Sequence, residues 1–392
     1  MLAFGRRTLL SSSFLAAGGP AALLSTRIRT TSNTSLLRLS AQQQSTMASS
    51  TASSSSSSLL NRNVLDRKYL VPCQLAICQF PVGELKEANL ETAETYIQQA
   101  AEKAQVVVLP EIWNGPYAAS EFPKFAEHVP ENPSQAADLE ESPSVKLMME
   151  AAKRHGIYLI GGSIAERDEN GKIYNCSLTF GPSGELLARH RYVVSNSFFY
   201  VFAKLTRQKH ELFITFVSLL INVRCRKVHL FDIDIPGKIT FRESETLTAG
   251  ASPTLFDTPY GRFAVGICYD MRFPQLASML RKEGADYIIY PGAFNLTTGP
   301  LHWELLLRAR ALDNQCFVAG ASQARNASAS YQAWGHSSIV NPWGEVEATT
   351  EENPDIVYAV LDTVQVDKVR EQIPVSYQLR PDIYTLNEAV KH

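Results

Sequence analysis

In GRFAVGICYDMRFP (261–274) an apolar run ends at Gly266-Ile267-Cys268 and a helix begins within a few residues. A thiol at a strand-to-helix turn projects at the sheet edge, where helix N-terminal amides favour the nucleophilic thiolate. Taken alone, a cysteine is more often a small buried hydrophobe, so Cys268 needs partners. VVVLPEIWNGPY (106–117) supplies Glu111, placed directly after a β-branched run and a proline, at the end of a strand where ligands of open α/β sheets collect. Such a carboxylate can act as general base, although an isolated one is more often a solvated loop charge. RKVHLFDIDIPGKITFRES (226–244) adds Lys227, Lys238 and Glu243, and composition does not choose between the two lysines. His229, His302 and His336 are the histidines near these stretches. Any of them as base to Cys268 would make a Cys/His hydrolase, against the commoner role of a hydrogen-bonded structural histidine.

The elements that must carry these residues are legible from periodicity. Strands are expected at 75–80 and in VVVLP, with a helix at 87–104 between them, an order that implies a crossover and an α/β sheet. Ser142-Pro143 marks a helix start and His155-Gly156 its end. Strands at 263–268, 286–290, 317–322 and 355–361 alternate with helices at 274–283 and 300–314, and NPWGE reads as a hairpin turn. Trp303, Leu305 and Leu306 are expected to pack a helix face. No internal repeat or linker appears, so about 320 residues from Pro72 are expected to form one domain.

Together the three chemical stretches resemble the nitrilase superfamily of carbon-nitrogen hydrolases. PEIWNGPY is similar to its glutamate motif, RKVHLFDIDIPGKITF to its lysine motif and GICYDMRFPQL to its cysteine motif, in the same chain order. YPGAFNLTTGPLHWELLLRARALDNQ and WGHSSIVNPWGE also resemble family sequence, and the FDIDIPGKITF and GAFNLTTGP wording is most like the omega-amidase branch. The resemblance runs from about Gln74 to Ala389, apart from an interruption at 192–226. It implies a four-layer α-β-β-α sandwich, generally a homodimer, with Glu111, Lys227 and Cys268 as a catalytic triad and Glu243 as an additional active-site glutamate. It implies no metal or organic cofactor. The chemistry implied is attack of Cys268 on an amide, an oxyanion held by Lys227 and the Tyr269 backbone N–H, and a thioester hydrolysed by a Glu111-activated water. The substrate implied is 2-oxoglutaramate or 2-oxosuccinamate, with a deaminated-glutathione amidase as the alternative enzyme.

Two segments stand apart. Residues 1–65 contain six arginines and no acidic residue, and are rich in serine, the composition of an organellar transit peptide or disordered leader. Mitochondrial import is the first expectation; a start at Met47 would give a cytosolic form. Residues 192–226, YVVSNSFFYVFAKLTRQKHELFITFVSLLINVRCR, contain no glycine or proline and interrupt the lysine motif. Joining Arg191 to Lys227 gives ARHRKVHLFDIDIPG, so the segment is expected to be an insertion of intronic or gene-model origin. Its longest apolar run is shorter than the roughly 20 residues needed to span a bilayer, so no membrane anchor is expected. If the insertion displaces Lys227, an inactive binding protein becomes the reading from another class.

Composition narrows the classes further. Of 37 basic residues six lie in the leader, leaving 31 against 39 acidic in the body. An acidic body without a basic stripe argues against nucleic-acid binding. Six cysteines without a CxxC pair or a Cys/His cluster form neither a disulfide framework nor a zinc site.

Overall fold

Alternate residues of the first strand face two different cores, which sets the layering of the whole fold. The computed structural model describes residue 67 and residues 70–130, 139–187 and 225–384, all within the unit 61–392. The expected leader at 1–65 lies outside the described residues, as does the expected insertion except for its last two residues. On β1 (Cys73–Gln79), Leu75 and Ile77 join Val106, Val108 and Ile160 in one core cluster, together with Phe263, Val265, Tyr287 and Ile289 of another sheet. Ala76 and Cys78 point the other way, toward Ala93 and Ile97 of α1 (Lys86–Ala101). Both faces of the strand are therefore dry, as the near-continuous apolar run in a partly parallel sheet requires.

The first sheet has the order β17-β1-β2-β4-β7, with β2 (Val106–Val108) and β4 (Tyr158–Ile160) parallel to β1, and β7 (Thr179–Phe180) and β17 (Asp355–Leu361) antiparallel to their neighbours. The second sheet runs β11-β12-β13-β14-β15-β16, spanning Thr254–Thr258, Gly261–Val265, Tyr287–Pro291, Phe317–Ala321, Ser338–Val340 and Val346–Thr349. Within it β12, β13 and β14 are parallel. Helix α1 and α3 (Pro143–His155) cover the first sheet; α4 (Pro274–Lys282) and α5 (Gly299–Asn314) cover the second. The short α2 (Phe122–Phe125) lies on a smaller third sheet, and α6 (Thr363–Gln372) follows β17. The result is the expected α-β-β-α sandwich. Each fully buried Ile, Leu or Phe at the sheet interface contributes about 1.5–3 kcal/mol before the entropy of ordering is counted.

The third sheet has the order β3-β5-β6-β8: Glu127–His128, Ile164–Arg167, Ile173–Ser177 and Cys225–Arg226. The last two residues assigned to the insertion thus belong to an edge strand, where the Arg226 guanidinium pairs with both carboxylate oxygens of Glu166 at 2.8 Å. The junction accounts for Arg226, though not for Cys225, which pairs with Ser177. An arginine stands at 191 and at 226, so removing 191–225 or 192–226 leaves the same sequence, and the fold uses Arg226.

Local signals hold with instructive exceptions. Ser142 occupies the N-cap of α3 and Pro143 its first turn, and Gly156 closes it at φ 64°. The Ser142 hydroxyl, however, donates to the His128 carbonyl, and the first-turn amide of Ser144 is taken by Glu127 Oε2 at 3.0 Å. On α5, Trp303 is buried with its indole N–H on the His336 carbonyl, whereas Leu305 is exposed, because 303, 307, 310, 311 and 314 form the inward face. Among the described residues, no helix is long and apolar enough to cross a membrane.

Candidate active site

Strand ends from both large sheets and the third sheet meet at one point. β2 terminates in Leu109-Pro110 and delivers Glu111; the next residue, Ile112, has φ 46°, an uncommon conformation for a β-branched side chain. That turn is fixed from three sides. Gln323 Nε2 donates to the carbonyls of Glu111 and Ile112 at 2.7 and 3.1 Å, the Ile112 N–H bonds Ser163 Oγ at 3.1 Å, and the Trp113 indole N–H bonds the Gly161 carbonyl at 2.9 Å. Gly162, at φ 57°, passes so close that an added Cβ would lie 2.0 Å from the Pro110 oxygen. Beyond β12, Cys268 opens a 3-10 turn (Cys268–Arg272), itself at φ 48°. Lys227 follows edge strand β8 directly. The exposed β9 (Asp232–Ile235) and β10 (Ile239–Arg242) form a hairpin whose end delivers Glu243.

These four side chains converge although they lie up to 157 positions apart in sequence, from Glu111 to Cys268. Lys227 Nζ donates to Glu111 Oε1 at 3.1 Å and to Glu243 Oε1 at 2.9 Å, and all three side chains are shut off from solvent. Glu111 also accepts from Asn175 Nδ2 at 2.8 Å and, through Oε2, from the Ala293 N–H at 2.7 Å. Glu243 accepts from the Tyr117 hydroxyl at 2.8 Å and from the Phe231 N–H at 2.7 Å. Cys268 is 3% exposed, and its thiol lies within electrostatic reach of Glu111, Lys227 and Glu243.

The electrostatics follow from burying two carboxylates with one ammonium. Burial, then the charge of Glu111 and Glu243 set against Lys227, holds the Cys268 thiol well above its usual value, so it rests protonated. Burial alone would deprotonate Lys227, but Glu111 and Glu243 outweigh it and keep the ammonium charged. Burial likewise raises Glu111, opposed by Lys227. Of the two routes open to the thiol, loss of its proton to Glu111 on attack fits this balance better than a resting thiolate.

Other candidates separate cleanly. Lys238 sits exposed at the hairpin tip, so burial selects Lys227. His229 bonds Asp270 Oδ1 through Nδ1 at 2.8 Å and stacks on Phe273 at 3.6 Å. His336 Nδ1 meets the Trp334 carbonyl, and His302 Nδ1 meets Arg272 Nη1 at 3.1 Å. Each histidine is occupied elsewhere than at the thiol. The Tyr269 N–H lies in the first turn of the 3-10 segment, where amides lack an intrahelical carbonyl. Among the described residues, no group of three or more His, Cys, Asp or Glu is arranged to hold a metal ion.

Sequence reading missed Tyr117, Asn175, Asp270, Arg272 and Tyr331. Tyr117 closes the glutamate stretch, and Asp270 and Arg272 lie inside the cysteine stretch, so proximity to the nucleophile was the available signal. Asn175 has no adjacent acidic or basic residue that would mark it, yet it is fully buried against Glu111. Tyr331 donates to the Ala293 carbonyl at 2.6 Å and packs on Tyr117; nothing in its local sequence announces that role.

The family model for carbon-nitrogen hydrolases matches residues 74–371. Omega-amidase NIT2 of Danio rerio is 45% identical over 315 residues, 80% of this chain and 97% of that protein. Human omega-amidase NIT2 is 45% identical over 314 residues, with the same coverage. A chloroplastic omega-amidase of Arabidopsis thaliana is 45% identical, covering 81% of this chain and 75% of the plant protein. Among solved structures, Saccharomyces cerevisiae Nit3, a nitrilase-superfamily member, superposes with a TM-score of 0.64 at 37% identity, covering 80% of this chain and 98% of Nit3.

Proposed function

We propose that this chain, which belongs to the carbon-nitrogen hydrolase family, is an omega-amidase that hydrolyses the terminal amide of a short 2-oxo dicarboxylate monoamide, 2-oxoglutaramate or 2-oxosuccinamate. The observation that carries the substrate class is Arg272. It lies one 3-10 turn past Cys268, half-buried, with its guanidinium 4.7 Å over the Phe294 ring and 5.7 Å over Tyr269. Burial lowers its pKa, and no acidic side chain pairs with it among the described residues. A desolvated guanidinium without a carboxylate suits a ligand carboxylate, which it can grip through two parallel hydrogen bonds. A substrate so anchored presents an amide a few bonds away to Cys268.

In this reading Glu111 takes the thiol proton as sulfur attacks the amide carbon. The oxyanion forms against the Lys227 ammonium and the Tyr269 N–H, donors already fixed before reaction. As the tetrahedral species collapses, Glu111 returns the proton to nitrogen, ammonia leaves and a thioester remains. Glu111 then activates a water that hydrolyses it, releasing the acid and the thiol. Glu243, held by Tyr117 and Phe231, keeps the ammonium aimed. Residues 1–65 serve as an organellar leader, to the mitochondrion by its arginine-rich, acid-free composition; the plant relative's chloroplastic name fits a leader of that general kind. Residues 192–226 are an insertion, and the enzyme works as a homodimer.

The test is ammonia release from 2-oxoglutaramate by wild type, Cys268→Ala and Arg272→Gln. Cys268→Ala should be inactive. Arg272→Gln should raise KM for the acidic amide by roughly 10- to 100-fold, the worth of a charge-assisted hydrogen bond, and leave an uncharged amide unaffected. Equal losses on both amides would remove the carboxylate site, and activity in Cys268→Ala would remove the nucleophile.

A further inference from the structure

Asp270 is the third residue of the 3-10 turn that Cys268 opens, and it is 1% exposed. Its Oδ2 accepts the N–H of Ile267 at 3.0 Å and of Val228 at 3.2 Å, and its Oδ1 accepts the N–H of His229 at 2.8 Å and His229 Nδ1 at 2.8 Å. One donor is the residue before the cysteine; the other three belong to the two residues after the lysine. The His229 ring also lies flat on Phe273, just past the 3-10 turn, at an interplanar angle of 9°. On its other side the lysine backbone is held by the Asn175 carbonyl, which accepts its N–H at 2.9 Å, and by Gly250, whose N–H donates to its carbonyl at 2.8 Å. A single buried carboxylate therefore joins two segments about forty residues apart, each carrying one pole of the reaction.

We propose that Asp270 is a positioning residue that fixes the spacing between the Cys268 sulfur and the Lys227 ammonium without touching substrate. The inference rests on the roles given above to those two residues. A carboxylate is acceptor-only and here serves four donors; an asparagine of the same shape has one acceptor oxygen and presents an NH₂ group to backbone N–H groups. One segment must then draw back, and displacement near 1 Å costs about 100-fold in rate.

Asp270→Asn, assayed in the full chain, should lower kcat for amide hydrolysis by about 100-fold while KM stays within about threefold, because Arg272 is untouched. Its thermal midpoint should fall, because buried N–H donors lose their acceptor, but the acid limb of its pH profile, set by Glu111, should not move. His229→Phe keeps the stacking on Phe273 and removes only the Nδ1 bond; it should cost about tenfold in kcat, and combined with Asp270→Asn it should cost nothing further. If Asp270→Asn does not fold, His229→Phe decides alone through its split between kcat and KM. Unchanged kcat, a matching rise in KM, or losses that multiply in the double variant would overturn the proposal. Full activity in Cys268→Ala or Lys227→Met would instead overturn the reading beneath it.

Discussion

The chemistry turns on a balance of charge among four buried side chains, and that balance has a pH signature. Glu111 must be ionised to accept the thiol proton, and burial raises its pKa. For a substrate that does not itself titrate, kcat/KM should therefore climb with pH through a midpoint above the ordinary glutamate range. Lys227 sits well above its usual value, so no alkaline fall is expected below about pH 10. A bell centred near neutrality would contradict the assignment. Lys227 also bridges two carboxylates that cannot reach water. Lys227→Met should cost about 3–5 kcal/mol in a denaturant titration, and adding Glu243→Gln should recover part of it. Cys268 and Glu111 were legible in sequence as candidates because each ends an apolar strand. Composition alone left Lys227 and Lys238 open; the family resemblance pointed to Lys227, and the pairing of β8 with β6 encloses it.

Elements matter here chiefly at their ends. Gly162 grazes the carbonyl of Pro110, the residue before Glu111, so Gly162→Ala should lower kcat by about 100-fold for a shift near 1 Å and destabilise the fold by at least about 1–2 kcal/mol. Gly171, equally left-handed at φ 75° but with nothing within 4 Å, is the control: Ala there should leave kcat unchanged. The strands β1, β2, β12, β13, β14 and β17 and the helices α1, α3, α4 and α5 were readable to within a few residues because apolar periodicity and Pro or Gly punctuation coincide there, whereas β11 was not. The β9/β10 hairpin was not, because its alternating half-exposed pattern mixes apolar and charged residues in a stretch that looked merely solvated, and Glu243 depends on it. Excising 192–226 leaves Arg191 in the place of Arg226, where it can pair with Glu166 and lie over Tyr174. The excised protein should keep activity and melting temperature at or above those of the full chain; a large loss of both would show that the segment is an integral part of the fold.

At the scale of the molecule, α5 turns an apolar stripe outward. Leu301, Leu305 and Leu312 are 67%, 65% and 56% exposed, and Trp343, 42% exposed, follows from the neighbouring turn. The three leucines share one helix face, and this apolar patch is where the proposed homodimer contact is to be tested. Leu301→Asp with Leu305→Asp should convert a dimer to monomer in sedimentation equilibrium; an unchanged mass would place the homodimer contact elsewhere. The sandwich itself keeps the Cys268 thiol enclosed and protonated. Peroxide oxidises thiolates far faster than thiols, so between turnovers the sulfur is poorly open to sulfenic acid formation. Enclosure alone thus shields the sulfur from mild oxidants while the site stands empty.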